Sequence, residues 1–250
     1  MTAVVVAGHE FAHLLAARLV GAPATFLSSV GVVGDWSGLD DGGAIVVGAS
    51  GSLSNVLLAL VGWLLLRVRA GRPTLVTVAG WLLVYLSLWP VVGYAVLSPI
   101  VGPDDWMIVL DRFPNRGALR ATIIVTGLFA AGVVWRAMSE KLALTIGNGL
   151  AADRRRRARQ LVWTAWFAGT ALVTFSAVVG AHEPWTRGAI AIAIFALSTI
   201  PILVAAEEVG RIPVPGEALP GERSVPALVL GMLCGIAFVA LLGPGITFGG

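Results

Sequence analysis

The sequence predicts an all-α polytopic membrane protein, with about six to seven transmembrane helices and a short hairpin or re-entrant segment after the first. Three observations point there. Of 250 residues, 57% are hydrophobic and 12% charged, and the mean hydropathy of +0.89 lies far outside the range of soluble domains. Several stretches without a charged residue are long enough to cross the roughly 30 Å of a bilayer's hydrocarbon. Glycine, proline and aspartate gather in short segments between those stretches, where non-helical backbone is expected. The net charge of +3 comes from basic segments; in such a chain it reports orientation and gives no sign of nucleic-acid binding. The single Cys234 excludes an intrachain disulfide and a cysteine-based zinc knuckle.

The first helix, about Thr2 to Val20, has no proline and is rich in Ala, Leu and Val. It is short for a span and carries His9, Glu10, His13 and Arg18. A signal peptide would have a basic start and an uncharged apolar middle. This stretch has neither, so it belongs to the mature protein, and a segment upstream of Met1 is compatible with it. Residues 21–43 mix Gly, Pro, Ser and Asp with short apolar runs at Phe26-Leu27 and Val30 to Val33, ending in Asp35, Asp40 and Asp41. They read as a loop or shallow β-hairpin. At membrane depth such backbone must be buried in protein or line a wet cavity, and a strand edge there would suit an extended peptide. A plain exposed loop fits the composition equally.

From Ala44 to Leu66 no residue is charged, and Arg67, Arg69 and Arg72 close the span. Within it, Gly51-Ser52-Leu53-Ser54-Asn55 is a small-residue patch that permits close helix approach. The next uncharged stretch, Pro73 to Pro103, is too long for one upright helix. Pro90 and Pro99 predict a span from about Thr74 to Leu97 followed by broken backbone, which leads into Asp104-Asp105-Trp106. A shorter span follows at Leu119 to Ala137. The segment 141–160, with Arg154, Arg155, Arg156, Arg157 and Arg159, reads as a solvated cytoplasmic loop against anionic lipid. Three more spans are expected at Leu161 to Ala181, Gly188 to Ala206 and about Val225 to Gly243, with a linker at 207–224. The organisation is thus a membrane core (1–140), a basic loop (141–160) and a C-terminal three-helix region (161–250). With both arginine clusters cytoplasmic, the N-terminus is cytoplasmic and the acidic 35–41 segment lies outside.

The chemistry concentrates in His9-Glu10-Phe11-Ala12-His13. Residues four apart on a helix share a face, so the two imidazoles can share one Zn²⁺. Glu10 can then take a proton from a water polarised by the metal. Two histidines and a glutamate hydrogen-bonded in a helix interface are the alternative, but an apolar helix has few reasons to carry three ionisable groups within one turn. A hydrolytic zinc usually takes three protein ligands. His182, in a short loop beside Glu183 and Pro184, is a poor third, which leaves Asp35, Asp40, Asp41, Asp104 and Asp105. To reach the metal, Asp105 needs the 98–110 segment to dip back into the protein.

On these residues the chain resembles the site-2 protease family of intramembrane zinc metalloproteases, in a divergent, compact form without a PDZ domain. The resemblance rests on His9-Glu10-Phe11-Ala12-His13, on Gly51 to Asn55 as a counterpart of that family's G-P-x-x-N, and on an aspartate after a proline-containing break. It covers roughly the first 140 residues. The family's third motif ends in Leu-Asp-Gly, whereas this chain has Gly102-Pro103-Asp104-Asp105-Trp106. Spacing from Pro99 favours Asp104. The apolar helix starting at Trp106, and similarity to shorter bacterial relatives with Ser-Asp-Ala there, favour Asp105. Leu39-Asp40-Asp41-Gly42 matches in letters but precedes the Gly51 patch. The order is Asp105, then Asp104, then Asp40 or Asp41.

The resemblance implies a zinc metalloendopeptidase of a bacterial cell membrane that cleaves a membrane-spanning protein substrate. His9, His13 and Asp105 would hold Zn²⁺, Glu10 would act as general base and then acid, and Asn55 would orient the substrate. Two other functions share some of these features. A non-proteolytic membrane protein could keep a structural or sensing metal site, although Glu10 would then have no task. A transporter would also carry broken helices and intramembrane carboxylates, but paired in two halves; here only the first half has them.

Overall fold

The computed structural model describes residues 1–68, 74–101, 105–179, 186, 189, 195–196, 198–214 and 225–248. Among them are eight helices and three short strands. In chain order these are α1 (Thr2–Leu19), β1 (Ala24–Ser28), β2 (Gly31–Gly34), α2 (Asp41–Val68), α3 (Leu75–Val101), α4 (Asp105–Leu110), α5 (Arg116–Ile146), α6 (Ala151–Val178), α7 (Pro201–Glu208), α8 (Val225–Leu242) and β3 (Ile246–Thr247). Four of the helices, α2, α3, α5 and α6, are long and apolar enough to cross a membrane. At about 1.5 Å per residue each extends roughly 40 Å, more than the hydrocarbon thickness. On α5, Val125, Leu128, Phe129 and Val133 are all exposed, a face stable against lipid and costly against water.

Several expectations change. The helix α3 runs unbroken through both Pro90 and Pro99 to Val101. In a packed membrane bundle, neighbouring groups can satisfy the carbonyls that proline leaves unpaired. Residues 102–104, where the backbone break was expected to continue, lie outside the described residues and include Asp104; Arg69, Arg72, His182 and part of the expected span at 188–206 lie outside them too. The basic segment 141–160 is not a loop. Helix α5 continues to Ile146, α6 starts at Ala151, and the arginines occupy the first turns of α6. Nor are they all solvated. Arg154 is buried and donates to the carbonyls of Ile212 at 2.6 Å and Ala143 at 3.5 Å, while Arg159 donates from Nε and Nη2 to the two carboxylate oxygens of Glu207. The carbonyls of Ile212, beyond α7, and of Ala143, near the end of α5, make a polar socket for one arginine, which is why part of the cluster turns inward.

The core centres on α3. Trp81, Tyr85 and Trp89 stack along one face of the helix, with ring centroids 5.3 and 5.7 Å apart. The polar tips are satisfied in an otherwise apolar interior. Trp81 Nε1 donates to the Met138 carbonyl at 2.9 Å and the Tyr85 hydroxyl to the Thr199 carbonyl at 3.2 Å, tying α3 to α5 and to the C-terminal region.

Residues 24–34 form the expected hairpin, with Phe26, Leu27 and Ser28 opposite Val33, Val32 and Gly31. Its other edge is taken from the far end of the chain. Strand β3 pairs antiparallel with β1, giving the order β2-β1-β3. The Ser29 amide donates to the Leu242 carbonyl at 3.0 Å and the Phe248 amide to the Thr25 carbonyl at 2.9 Å. The Arg18 guanidinium lies over the Phe248 ring, 5.2 Å from its centre. Strand β1 is therefore covered on both sides, and β2 and β3 are the edge strands of the sheet.

Candidate metal centre

His9, Glu10 and His13 lie on the buried side of α1. That side faces α2, where Ser54 donates to the Gly8 carbonyl at 3.0 Å. The third group arrives from α4. Asp105 is its first residue, and Oδ2 of its carboxylate stands 3.1 Å from His9 Nε2 and 3.1 Å from His13 Nε2. The two Nε2 atoms are themselves 3.1 Å apart. Three donor atoms thus form a nearly equilateral triangle. Ligands bound about 2.0–2.2 Å from one tetrahedral metal lie roughly 3.3–3.5 Å from one another, so the triangle needs to open by only a few tenths of an ångström. His9, His13 and Asp105 form a group able to hold a metal ion.

The protonation of His13 can be read from its partner. Its Nδ1 is 2.7 Å from the Val47 carbonyl oxygen, an acceptor only, so Nδ1 carries a proton, and in the neutral ring Nε2 would turn its lone pair to the triangle. The Ser50 hydroxyl donates to the same carbonyl at 2.7 Å. This is the outer-shell support that metal-binding imidazoles usually have. Asn55, 2% exposed, places its amide 3.2 Å from His9 Nδ1.

The backbone of α2 leaves room for these groups at two glycines. A β-carbon at Gly51 would fall 2.6 Å from His9 Nε2 and against His13 Nε2, so only glycine lets the two imidazoles come this close to α2. At Gly48 it would lie 2.8 Å from the Asp105 carbonyl oxygen, which is how α4 comes close enough for its carboxylate to reach α1. The donor set fits a small cation.

No family model, curated protein or solved structure matches the chain. The site therefore stands on its own geometry.

A cavity of about 290 Å³ opens onto the triangle, and Glu10 lines it together with His9, His13 and Asp105. Its remaining wall is mostly apolar and includes Val5, Val32, Tyr94, Val173, Phe195 and Ser198. The hairpin forms one side through Ser29 to Val32. The C-terminal region, to which the sequence assigned no part in the site, contributes Val173, Phe195 and Ser198. Tyr94, whose ring is 6.0 Å from that of His9 in a T-shaped contact, was also missed. Its one signal was rarity, since the chain has two tyrosines. The Val47 carbonyl is backbone and leaves no trace in residue identity.

The other aspartates are engaged elsewhere. Asp40 accepts the Gly43 amide at 2.6 Å at the start of α2, the capping role that its position before a helix suggests. Asp41 lies 3.4 Å from Arg112. Asp35, fully exposed, accepts from the amide and hydroxyl of Ser37, which hold its carboxyl below the usual carboxylate range.

Proposed function

We propose that the protein is a zinc-dependent intramembrane endopeptidase that hydrolyses a peptide bond of a membrane-spanning substrate. The observation that carries this reading is the triangle of His9 Nε2, His13 Nε2 and Asp105 Oδ2, with all three edges at 3.1 Å and Glu10 in the same cavity. Two imidazoles and one carboxylate match the three-ligand pattern of hydrolytic zinc, which keeps a further position free. The residues that carry the resemblance to the site-2 protease family are the same ones, and this supports the reading further.

When bound, zinc supplies Lewis acidity, polarising the scissile carbonyl and lowering the pKa of an attacking water. The protein's own groups do the rest. The Glu10 carboxylate accepts the proton that leaves the water as its oxygen bonds to the carbonyl carbon. Glu10 then returns that proton to the amide nitrogen as the C–N bond breaks, so the products are a carboxylic acid and an amine. The apolar wall keeps bulk water low around these charges, which strengthens each interaction. A transmembrane helix hides its peptide groups in its own hydrogen bonds, so a substrate must be extended before it can be attacked. The free edge of β2, with Gly31 and Val32 on the cavity, offers backbone partners to an extended strand.

Glu10→Gln tests the proposal. Glutamine keeps shape and reach but cannot accept the proton. Cleavage of a single-span substrate in liposomes should fall by about 10²–10⁴-fold, with bound zinc unchanged. Full activity in this variant would end the protease reading.

A further inference from the structure

We propose that Asn55 is the positioning residue that makes His9 a metal ligand: its side-chain carbonyl accepts the Nδ1–H of His9, leaving the Nε2 lone pair for the ion. This rests on the metal reading above. It differs from the substrate-orienting role that the sequence suggested for Asn55, because the amide acts through the imidazole.

The argument starts from the difference between the two histidines. His13 has its proton placed by an acceptor-only partner, the Val47 carbonyl at 2.7 Å. His9 has at Nδ1 an amide, which can present either its oxygen or its NH₂. As placed, Asn55 Nδ2 is 3.2 Å from His9 Nδ1, and the amide oxygen at the far end is buried with no hydrogen-bond partner among the described residues. No other donor therefore holds the amide in that orientation, and the two ends of an amide are nearly identical in shape.

The proton on His9 decides between the two. If NH₂ faces the ring, Nδ1 must be bare and the proton sits on Nε2. It would then point at His13 Nε2 and Asp105 Oδ2, each 3.1 Å away, and His9 would be a hydrogen-bond donor to the aspartate rather than a ligand. If the oxygen faces the ring, Nδ1 carries the proton and Nε2 joins the other two lone-pair donors. Both imidazoles then have the same tautomer, each fixed by a group on α2: the Val47 carbonyl for one, the Asn55 carbonyl for the other. Asn55 can do this because it is 2% exposed, so water does not compete for the ring nitrogen.

Substitution separates the two orientations. In Asn55→Asp the carboxylate can only accept, as the proposal requires. In Asn55→Leu nothing accepts. The experiment is a competition titration of the full chain in detergent with Zn²⁺ and with Co²⁺, following the visible spectrum of the bound Co²⁺. Asn55→Leu should weaken metal binding about 10–100-fold, the usual cost of losing an outer-shell partner, and Asn55→Asp should bind at least as tightly as wild type. Unchanged affinity in Asn55→Leu overturns the proposal. So does a loss in Asn55→Asp as large as in Asn55→Leu, because an amide donating to a bare Nδ1 is what a carboxylate cannot replace. If Asn55→Leu does not fold, Asn55→Asp decides alone in the same two directions. A wild type that binds no metal at all removes the metal reading itself, an outcome distinct from the others.

Discussion

Gly51 shows how much one hydrogen atom in place of a methyl can matter. With a β-carbon 2.6 Å from His9 Nε2, Gly51→Ala should displace the imidazoles and lower metal affinity by about 100-fold or more. The neighbouring Ser52→Ala, also buried, should leave it near wild type; metal titration of both variants checks this. Asp105 makes a parallel case. Asp105→Ala removes one of three donors and should lower zinc occupancy and activity together, whereas Asp104→Ala should keep both. Zinc retained in Asp105→Ala and lost in Asp104→Ala would move the third ligand by one residue. The two histidines and Glu10 were legible because helical spacing turns sequence distance directly into spatial distance. Asp105 was legible only as one of several carboxylates, since its approach depends on Gly48 and on how α4 packs against α2. The partners of the imidazoles were least legible: one is a main-chain carbonyl, and the other, Asn55, was picked out but given a different task.

At the scale of elements, the long apolar helices follow from composition, and the hairpin follows from short β-prone runs between turn residues. The errors lay at proline and arginine. Pro90 and Pro99 were read as breaks by a rule drawn from isolated helices, and packing against neighbours overrode it. The arginines at 154–159 read as solvated by charge alone, although the carbonyls of Ile212 and Ala143 bind one of them. Strand β3 was not foreseen at all, because two residues after a helix have no period to detect. Its pairing with β1 predicts a separable effect. Ile246→Pro, opposite Leu27, should speed amide exchange across residues 24–34 and slow cleavage several-fold, because proline cannot donate to the ladder. Metal affinity should stay unchanged, since α1 and α4 carry the donors. A loss of metal in this variant would mean that the hairpin supports the ligands themselves.

On the scale of the whole molecule, the positively charged ends of the helices set the proposed orientation, with the N-terminus and the start of α6 in the cytoplasm. In a Cys234→Ser background, Arg155→Cys should react with a membrane-impermeant thiol reagent only from the cytoplasmic side. Reaction from the opposite side would invert the topology. The N-terminal core and the C-terminal region meet at the site, where Val173, Phe195 and Ser198 share a cavity with Glu10. The strand from the far end of the chain carries this further, into biogenesis. A ribosome delivers α1, with its histidines and glutamate, long before it delivers Ile246 and Thr247. The sheet beside those residues can be completed only after all eight described helices have been made. On the proposed function, nascent chains carry His9, Glu10 and His13 before the sheet beside them has gained its third strand, so these groups are made well ahead of the structure that surrounds them.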